Sequence, residues 1–426
     1  MKLKREIAPE INEIKNIAFI QHSKFLLSNE IPIYSFKSGT QEITRIEFVF
    51  KAGNYFQKAP LYANTTNRLL NEGTNKYNSK QIADIIDFYG AYLELEVDND
   101  NAYITLYSLN KYLDTTLEIM ESIIKFSNFP DNELETYLNN KKQAYLISLQ
   151  KVSHIARRKF AGLIYGETHP YGMQVSENTF DEIKTKNLTD FYKKYYSFNN
   201  CYITISGLFP ENIYDTINGI FGKDKWGKGN STDFNKQFNI AEKSTNFIKV
   251  DNVMQSSIRV GCHTINRLHK DYIKLVVINT VLGGYFGSRL MSNIREDKGY
   301  TYGIGSGVAS FQAGGMFYIS TDVGAKFTNK AMTEIYKELD LICDKEVSKG
   351  ELETVKKYII GNLIRNADGA FAMANIYKTI IDYNLPEDYF NYFISEVNNC
   401  SAKELLKIAQ KYLSKDKMTE LIVGQK

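Results

Sequence analysis

The chain has 426 residues, 43% hydrophobic and 24% charged, which are globular values far from the apolar-poor, charge-rich composition of disordered chains. Its 52 Lys and Arg against 49 Asp and Glu leave a formal net charge of +3, so neither nucleic acid nor an anionic membrane surface is favoured as partner. No run approaches the roughly 18 apolar residues of a membrane span, and the charged N-terminus has no apolar run behind it to act as a signal peptide.

In chain order, strands are expected over Pro32–Ser35 and Ile43–Lys51, the second rich in β-branched and aromatic residues. A helical stretch runs from about Leu61 to Leu70 and stops at Glu72-Gly73-Thr74. Ser79 is the expected N-cap of a helix through Phe88, with Ile82, Ile85, Ile86 and Phe88 on its apolar side and Gly90 at its end. Strands over Tyr92–Val97 and Ala102–Tyr107 precede a helix near 112–126 and long helical patterns between about 131 and 165. Cys201–Gly207 reads as a strand and 211–221 as a helix. Residues 223–243 are polar, Gly-rich and without period, the mark of a linker.

After the linker the order restarts: strand at Ile258–Cys262, helix at 271–282, strands at Gly303–Ala309 and Met316–Thr321, helix at 328–343. Similar elements at similar spacing predict an internal duplication. The predicted division is an α+β domain over 1–222, a linker over 223–243 and a second α+β domain over 244–426. Each domain is expected to have a sheet covered on one face by helices. Four widely spaced cysteines, Cys201, Cys262, Cys343 and Cys400, need no disulfide framework at this size, and a reducing cytoplasm is the simplest compartment.

The residues alone offer no self-sufficient active site. None of the five histidines, His22, His154, His169, His263 and His269, forms the paired helical spacing of a zinc hydrolase, so each reads as an isolated surface or packing residue. No nucleophile elbow, phosphate loop or dinucleotide fingerprint occurs. The segment Asn293-Ile-Arg-Glu-Asp-Lys-Gly-Tyr-Thr-Tyr sets Arg295 before a Gly turn and Tyr302 at a strand start. A guanidinium holds a peptide carbonyl or carboxylate and a phenol meets a developing oxyanion. The bland alternative is an Arg closing a helix C-terminus and a half-buried strand Tyr.

Several stretches together resemble the pitrilysin/insulinase-type zinc peptidases of the short-subunit class, along nearly the whole chain. They are Ile46-Glu-Phe-Val-Phe-Lys-Ala-Gly, Asn71-Glu-Gly-Thr, Leu163-Ile-Tyr-Gly-Glu-Thr-His-Pro-Tyr-Gly, and Val281-Leu-Gly-Gly-Tyr-Phe-Gly-Ser-Arg-Leu leading into Asn293-Ile-Arg-Glu. The resemblance implies two homologous α/β-sandwich-type halves of the mitochondrial-processing-peptidase-like metallohydrolase fold, joined by a linker and forming part of a clam-shell dimer. It also exposes a departure. The family's inverted His-x-x-Glu-His falls on Asn64, Asn67 and Arg68, and the later carboxylate ligand falls near Gln143. The Arg/Tyr pair of the family's second half, by contrast, matches Arg295 and Tyr302.

These matches imply a chain with no zinc of its own, paired with a zinc-bearing subunit of similar length and acting on extended peptide. In that reading it is the non-catalytic subunit of a heterodimeric zinc-dependent endopeptidase, with hydrolase activity only alongside the partner. The competing reading is a catalytically dead peptidase fold, homodimeric or not, that binds peptides or scaffolds a complex.

Overall fold

The computed structural model describes residues 14, 16–229, 233–234 and 240–425. The segment read for a signal peptide, and residues 230–232 and 235–239 of the expected linker, lie outside the described residues.

Six strands, β1 (Ser23–Leu26), β2 (Pro32–Lys37), β3 (Ile43–Phe50), β4 (Tyr92–Val97), β5 (Ala102–Leu109) and β6 (Cys201–Gly207), make one sheet in the order β1-β2-β6-β3-β5-β4. Five more, β7 (Thr245–Lys249), β8 (Gln255–Thr264), β9 (Thr301–Phe311), β10 (Gly314–Gly324) and β11 (Thr419–Gly424), make a second in the order β7-β11-β8-β10-β9. Set β1 aside and count the strands of each half in chain order: both sheets then read 1-5-2-4-3. In both, the first and fifth strands pair parallel and every other pair is antiparallel. Identical connectivity of two five-stranded sheets in one chain is the structural form of the duplication.

Strand β3 shows why the sheets sit where they do. Its side chains alternate between faces, yet seven of the eight residues are buried. Ile46, Phe48 and Phe50 enter the core of their own half, where Phe48 meets Phe221 at 4.6 Å between ring centroids and Phe50 meets Tyr196 at 4.8 Å. The opposite face carries Arg45 and Glu47, charges that bury only when paired. Their cover comes from the other half. In the helix Gly369–Tyr383, Lys378 lies 2.7 Å from Glu47 and Asn375 accepts from Arg45 at 2.8 Å.

The exchange is reciprocal. The helix Val152–Tyr165 of the first half packs on β8 and β11, joining Val152, Ala156, Phe160 and Ile164 to Leu421 and Val423. Each sheet is thus covered on one face by its own helices and on the other by a helix lent by its counterpart. This differs from the single covered face expected from the sequence.

Two local expectations also shift. The N-cap of Ser79–Phe88 is Asn78 rather than Ser79: the Asn78 side chain accepts from the Gln81 amide while Gln81 accepts from the Asn78 amide. Within the expected linker, Trp226 is buried in the first core and donates through Nε1 to the Phe221 carbonyl at 3.1 Å. The chain therefore stays docked for several residues past 223 because an indole has too much apolar surface to leave in water. No helix among the described residues is long and apolar enough to cross a membrane.

Candidate functional site

Arg295 and Tyr302 are brought to one groove by separate local devices. Arg295 lies in the π-helical segment Met291–Asp297, a geometry often found at functional sites. Three contacts fix that segment. Arg289 makes a two-pronged pair with Glu351 at 2.8 Å per prong, Asn293 donates to Glu334 and Glu338 at 2.9 and 2.7 Å, and Ile294 is fully buried. Gly283, preceding it, lies so close to β9 that a Cβ there would stand 2.6 Å from the Ser306 amide nitrogen, so only glycine fits. Gly299, with φ of +65°, turns the chain from the helical segment into β9.

Tyr302 is aimed by a β-bulge. Thr321 pairs with Ile304 and Val323 with Thr301, so Tyr302 and Gly303 together stand opposite the single residue Asp322. The Thr301 hydroxyl stitches the bulge, donating to the Asp322 carbonyl at 2.7 Å and accepting from the Gly303 amide at 3.1 Å. The result is a phenol 94% exposed at the head of an otherwise half-buried strand.

Both side chains line a groove of about 1220 Å³, walled by Lys151–Ser153 at the head of the lent helix and by Met254, Phe286, Tyr300 and Phe327. The Arg295 guanidinium sits over the Phe286 ring, 4.6 Å from its centroid, and 3.8 Å from the Glu296 carboxylate. Met254 and Phe286 are 91% and 63% exposed, so the groove has an apolar floor beside its cation and phenol. That combination suits an extended peptide: main-chain carbonyls for Arg295 and Tyr302, side chains for the floor.

The zinc-motif positions lie elsewhere. Asn64, Asn67 and Arg68 share the helix Tyr62–Arg68, and Gln143 is an exposed residue of the helix Asp131–Ser148. Asn64 accepts from the Tyr137 hydroxyl at 3.1 Å, so the two helices do meet, but through a phenol. Burial pushes Tyr137 up to about 12, against the opposing field of Arg68, and keeps it a neutral donor. Asn67 is buried and donates to the Tyr196 hydroxyl at 3.1 Å and the Tyr103 carbonyl at 3.4 Å. Zinc takes imidazole, thiolate or carboxylate; two neutral amides, one of them, at Asn67, with its Oδ1 buried and unpaired among the described residues, and a permanent cation do not fit it. Among the described residues no group of three or more His, Cys, Asp or Glu side chains is arranged to hold a metal.

The histidines read as isolated are not all apart. His169 and His263, one from each half, pack on the ring of Tyr165 at 4.9 and 5.7 Å. Burial lowers both, His169 to about 4, and His263 adds to the lowering at His169. They are neutral packing groups. Sequence reading passed over Asn293 and Arg289 as the anchors of Arg295; the signal available was a polar side chain and an Arg beside an apolar helix.

Comparison with known proteins agrees with this architecture. The model of the insulinase family, peptidase family M16, matches residues 37–160, and that of the peptidase M16 inactive domain matches residues 182–359. A Helicobacter pylori protein named as a non-peptidase homolog, YmxG, is 22% identical over 395 residues, covering 89% of each chain. A Bacillus subtilis protein named as an uncharacterized zinc protease, also YmxG, is 24% identical over 297 residues, covering 69% of this chain and 71% of that one. Among solved structures, the peptidase M16 inactive domain from Pseudomonas fluorescens superposes with a TM-score of 0.87 at 23% identity, covering 95% of this chain and 98% of that one. The periplasmic protease PqqL of Escherichia coli covers the whole chain with 49% of its own length, at a TM-score of 0.77 and 15% identity. With two sheets of one topology, a helix exchanged between them and both family models matched in order, the chain belongs to the pitrilysin/insulinase (M16) peptidase family.

Proposed function

We propose that the chain is the non-catalytic subunit of a heterodimeric zinc-dependent endopeptidase, lending Arg295 and Tyr302 to a metal centre held by a partner of similar length. The observation that carries this reading is an asymmetry. The family's metal positions hold two neutral amides and a cation, while the Arg/Tyr pair is anchored, exposed and aimed into an open groove. The zinc and the base belong to the partner; this chain supplies a wall of the chamber, the grip on the peptide and a donor. As a peptide bond is broken, negative charge grows on the carbonyl oxygen. A phenol within reach of that oxygen stabilises it, and a guanidinium beside it fixes the main chain.

The name of the Helicobacter relative, a non-peptidase homolog, supports a second reading, a peptide-binding scaffold with no part in hydrolysis. The exposed phenol weighs against it, because a scaffold gains nothing from a bulge that presents Tyr302 to solvent. The test is mixing. Neither this chain nor a similar-length insulinase-like subunit with intact His-x-x-Glu-His and no Arg/Tyr pair should cleave peptide efficiently alone, and the mixture should. A zinc-bearing subunit at full activity, unchanged by adding this chain, would leave the scaffold reading.

A further inference from the structure

Where the two halves meet, equivalent hairpins face each other: the β4–β5 turn at 98–101 and the β9–β10 turn at 312–313. Between them lies a cavity of about 290 Å³ lined by Asp98, Asp100, Asp382, Lys378 and Arg267. Asp100 and Asp382 tie separate elements together, while Asp98 braces its own hairpin. Asp100 accepts from the Gln312 amide at 2.9 Å and from the Tyr171 hydroxyl, which in turn accepts from the Ala313 amide at 3.2 Å. Asp382 accepts from the Tyr202 hydroxyl at 2.8 Å and the Asn101 amide group at 3.1 Å, and the Gln312 side chain donates to its main-chain carbonyl at 2.6 Å. Asp98 accepts from Tyr103 at 2.8 Å.

The charges do not balance. Lys378 is already paired with Glu47, which also holds Arg45, and the Arg267 guanidinium lies between the rings of Tyr272 and Tyr383 at 5.5 and 5.6 Å. Four carboxylates, Asp98, Asp100, Asp382 and Glu47, thus share three cations, so a single proton neutralises the cluster. The other titratable groups packed around it, Tyr103, Tyr165, Tyr171, Tyr202, Tyr383, His169 and His263, are all neutral near pH 7, their phenols raised and the imidazoles lowered by burial.

We propose that this seam is a proton-operated joint: one proton shared among its carboxyls holds the halves in register, and losing it in mild alkali loosens the contact between the two hairpins. Burial, chiefly, pushes Asp382 up to about 7 and Asp100 up to about 6, with the neighbouring aspartates adding to it, so the proton is given up near neutrality. A carboxyl raised in the closed state favours closure in acid, and that advantage is lost as pH rises through the raised value. The joint stands apart from the proposed function, since it involves neither Arg295 nor the partner.

Hydrogen exchange on the intact chain, corrected for intrinsic rates, tests it. Between pH 5.5 and 8.5 the opening constant of the segments 98–101 and 311–314 should rise roughly thirtyfold, as a proton site at about 7 closed and near the ordinary carboxyl value open requires. The helix Thr328–Asp344, remote from the seam, serves as control and should stay level. Asp382→Asn, a fixed neutral mimic of the protonated acid, should abolish the response and keep the seam protected at pH 8.5. Wild-type seam protection that does not change between the two pH values overturns the proposal, as does a folded Asp382→Asn variant with the full pH response. If that variant fails to fold, the wild-type profile decides alone.

Discussion

Replacing Lys378 by Met probes the exchange of helices directly. The Lys378 ammonium lies 2.7 Å from Glu47, with the two side chains 15% and 3% exposed, so the pair is shielded from solvent. Removing one partner of a buried pair costs about 3–5 kcal/mol, mostly the penalty of the charge left behind. Glu47 keeps Arg45 and the hydroxyls of Thr105 and Thr204, which places the loss at the lower end, about 3 kcal/mol. With an unfolding entropy of about 2.1 cal/mol/K per residue, 426 residues melting as one unit convert this to a fall in Tm of roughly 3 °C.

The pH dependence has a definite sign. Burial alone would raise Glu47, but Lys378 and then Arg45 outweigh it and hold the carboxyl below its ordinary 4.5. The pair's contribution is present above that value and lost as pH falls through the folded one. In the variant burial is less opposed, so its deficit should be full at pH 7 and fade towards pH 4, where a protonated Glu47 needs no cation. Paired calorimetric melts at the two pH values measure this. A loss under about 0.5 kcal/mol at pH 7, the size of an ordinary surface change, would refute the buried tie between the halves, and so would a deficit that is unchanged in acid.

Purified alone, the chain should hold no stoichiometric zinc by elemental analysis, because Asn64, Asn67, Arg68 and Gln143 offer no suitable donors; about one tightly held zinc per chain would contradict this. In the assembled heterodimer Arg295→Ala should raise KM as well as lower kcat, since the guanidinium is assigned to the peptide main chain; a change in neither would remove that role. A chain cut at a protease site inserted after Ile240 should run as one species in gel filtration, because the helices Val152–Tyr165 and Gly369–Tyr383 each pack on the other half's sheet. Fragments that separate without denaturant would count against the exchange.

Much of this fold is legible in the residues. β3 announces itself by Ile43-Thr-Arg-Ile-Glu-Phe-Val-Phe, and β4 begins and ends where alternation predicts. Which sheet a helix covers is not legible, because the apolar stripe of Val152–Tyr165 states only that it is covered. The linker boundary was obscured by composition: one tryptophan in a polar stretch outweighs its neighbours. At the site, the residues alone favoured the bland account of Arg295, and it does sit near the end of a helical segment. The family resemblance singled out the pair. The bulge behind Tyr302 left only Gly303 as its trace, since the extra residue appears in the pairing of two strands rather than in either one.

The most direct test of the central claim is Tyr302→Phe in the assembled heterodimer. The ring stays and the side chain is 94% exposed, so folding, assembly and the partner's zinc content should not change. If the phenol meets the developing oxyanion, turnover should fall about 10²–10³-fold, the usual cost of one such donor. Wild-type turnover by an intact Tyr302→Phe heterodimer would contradict the account.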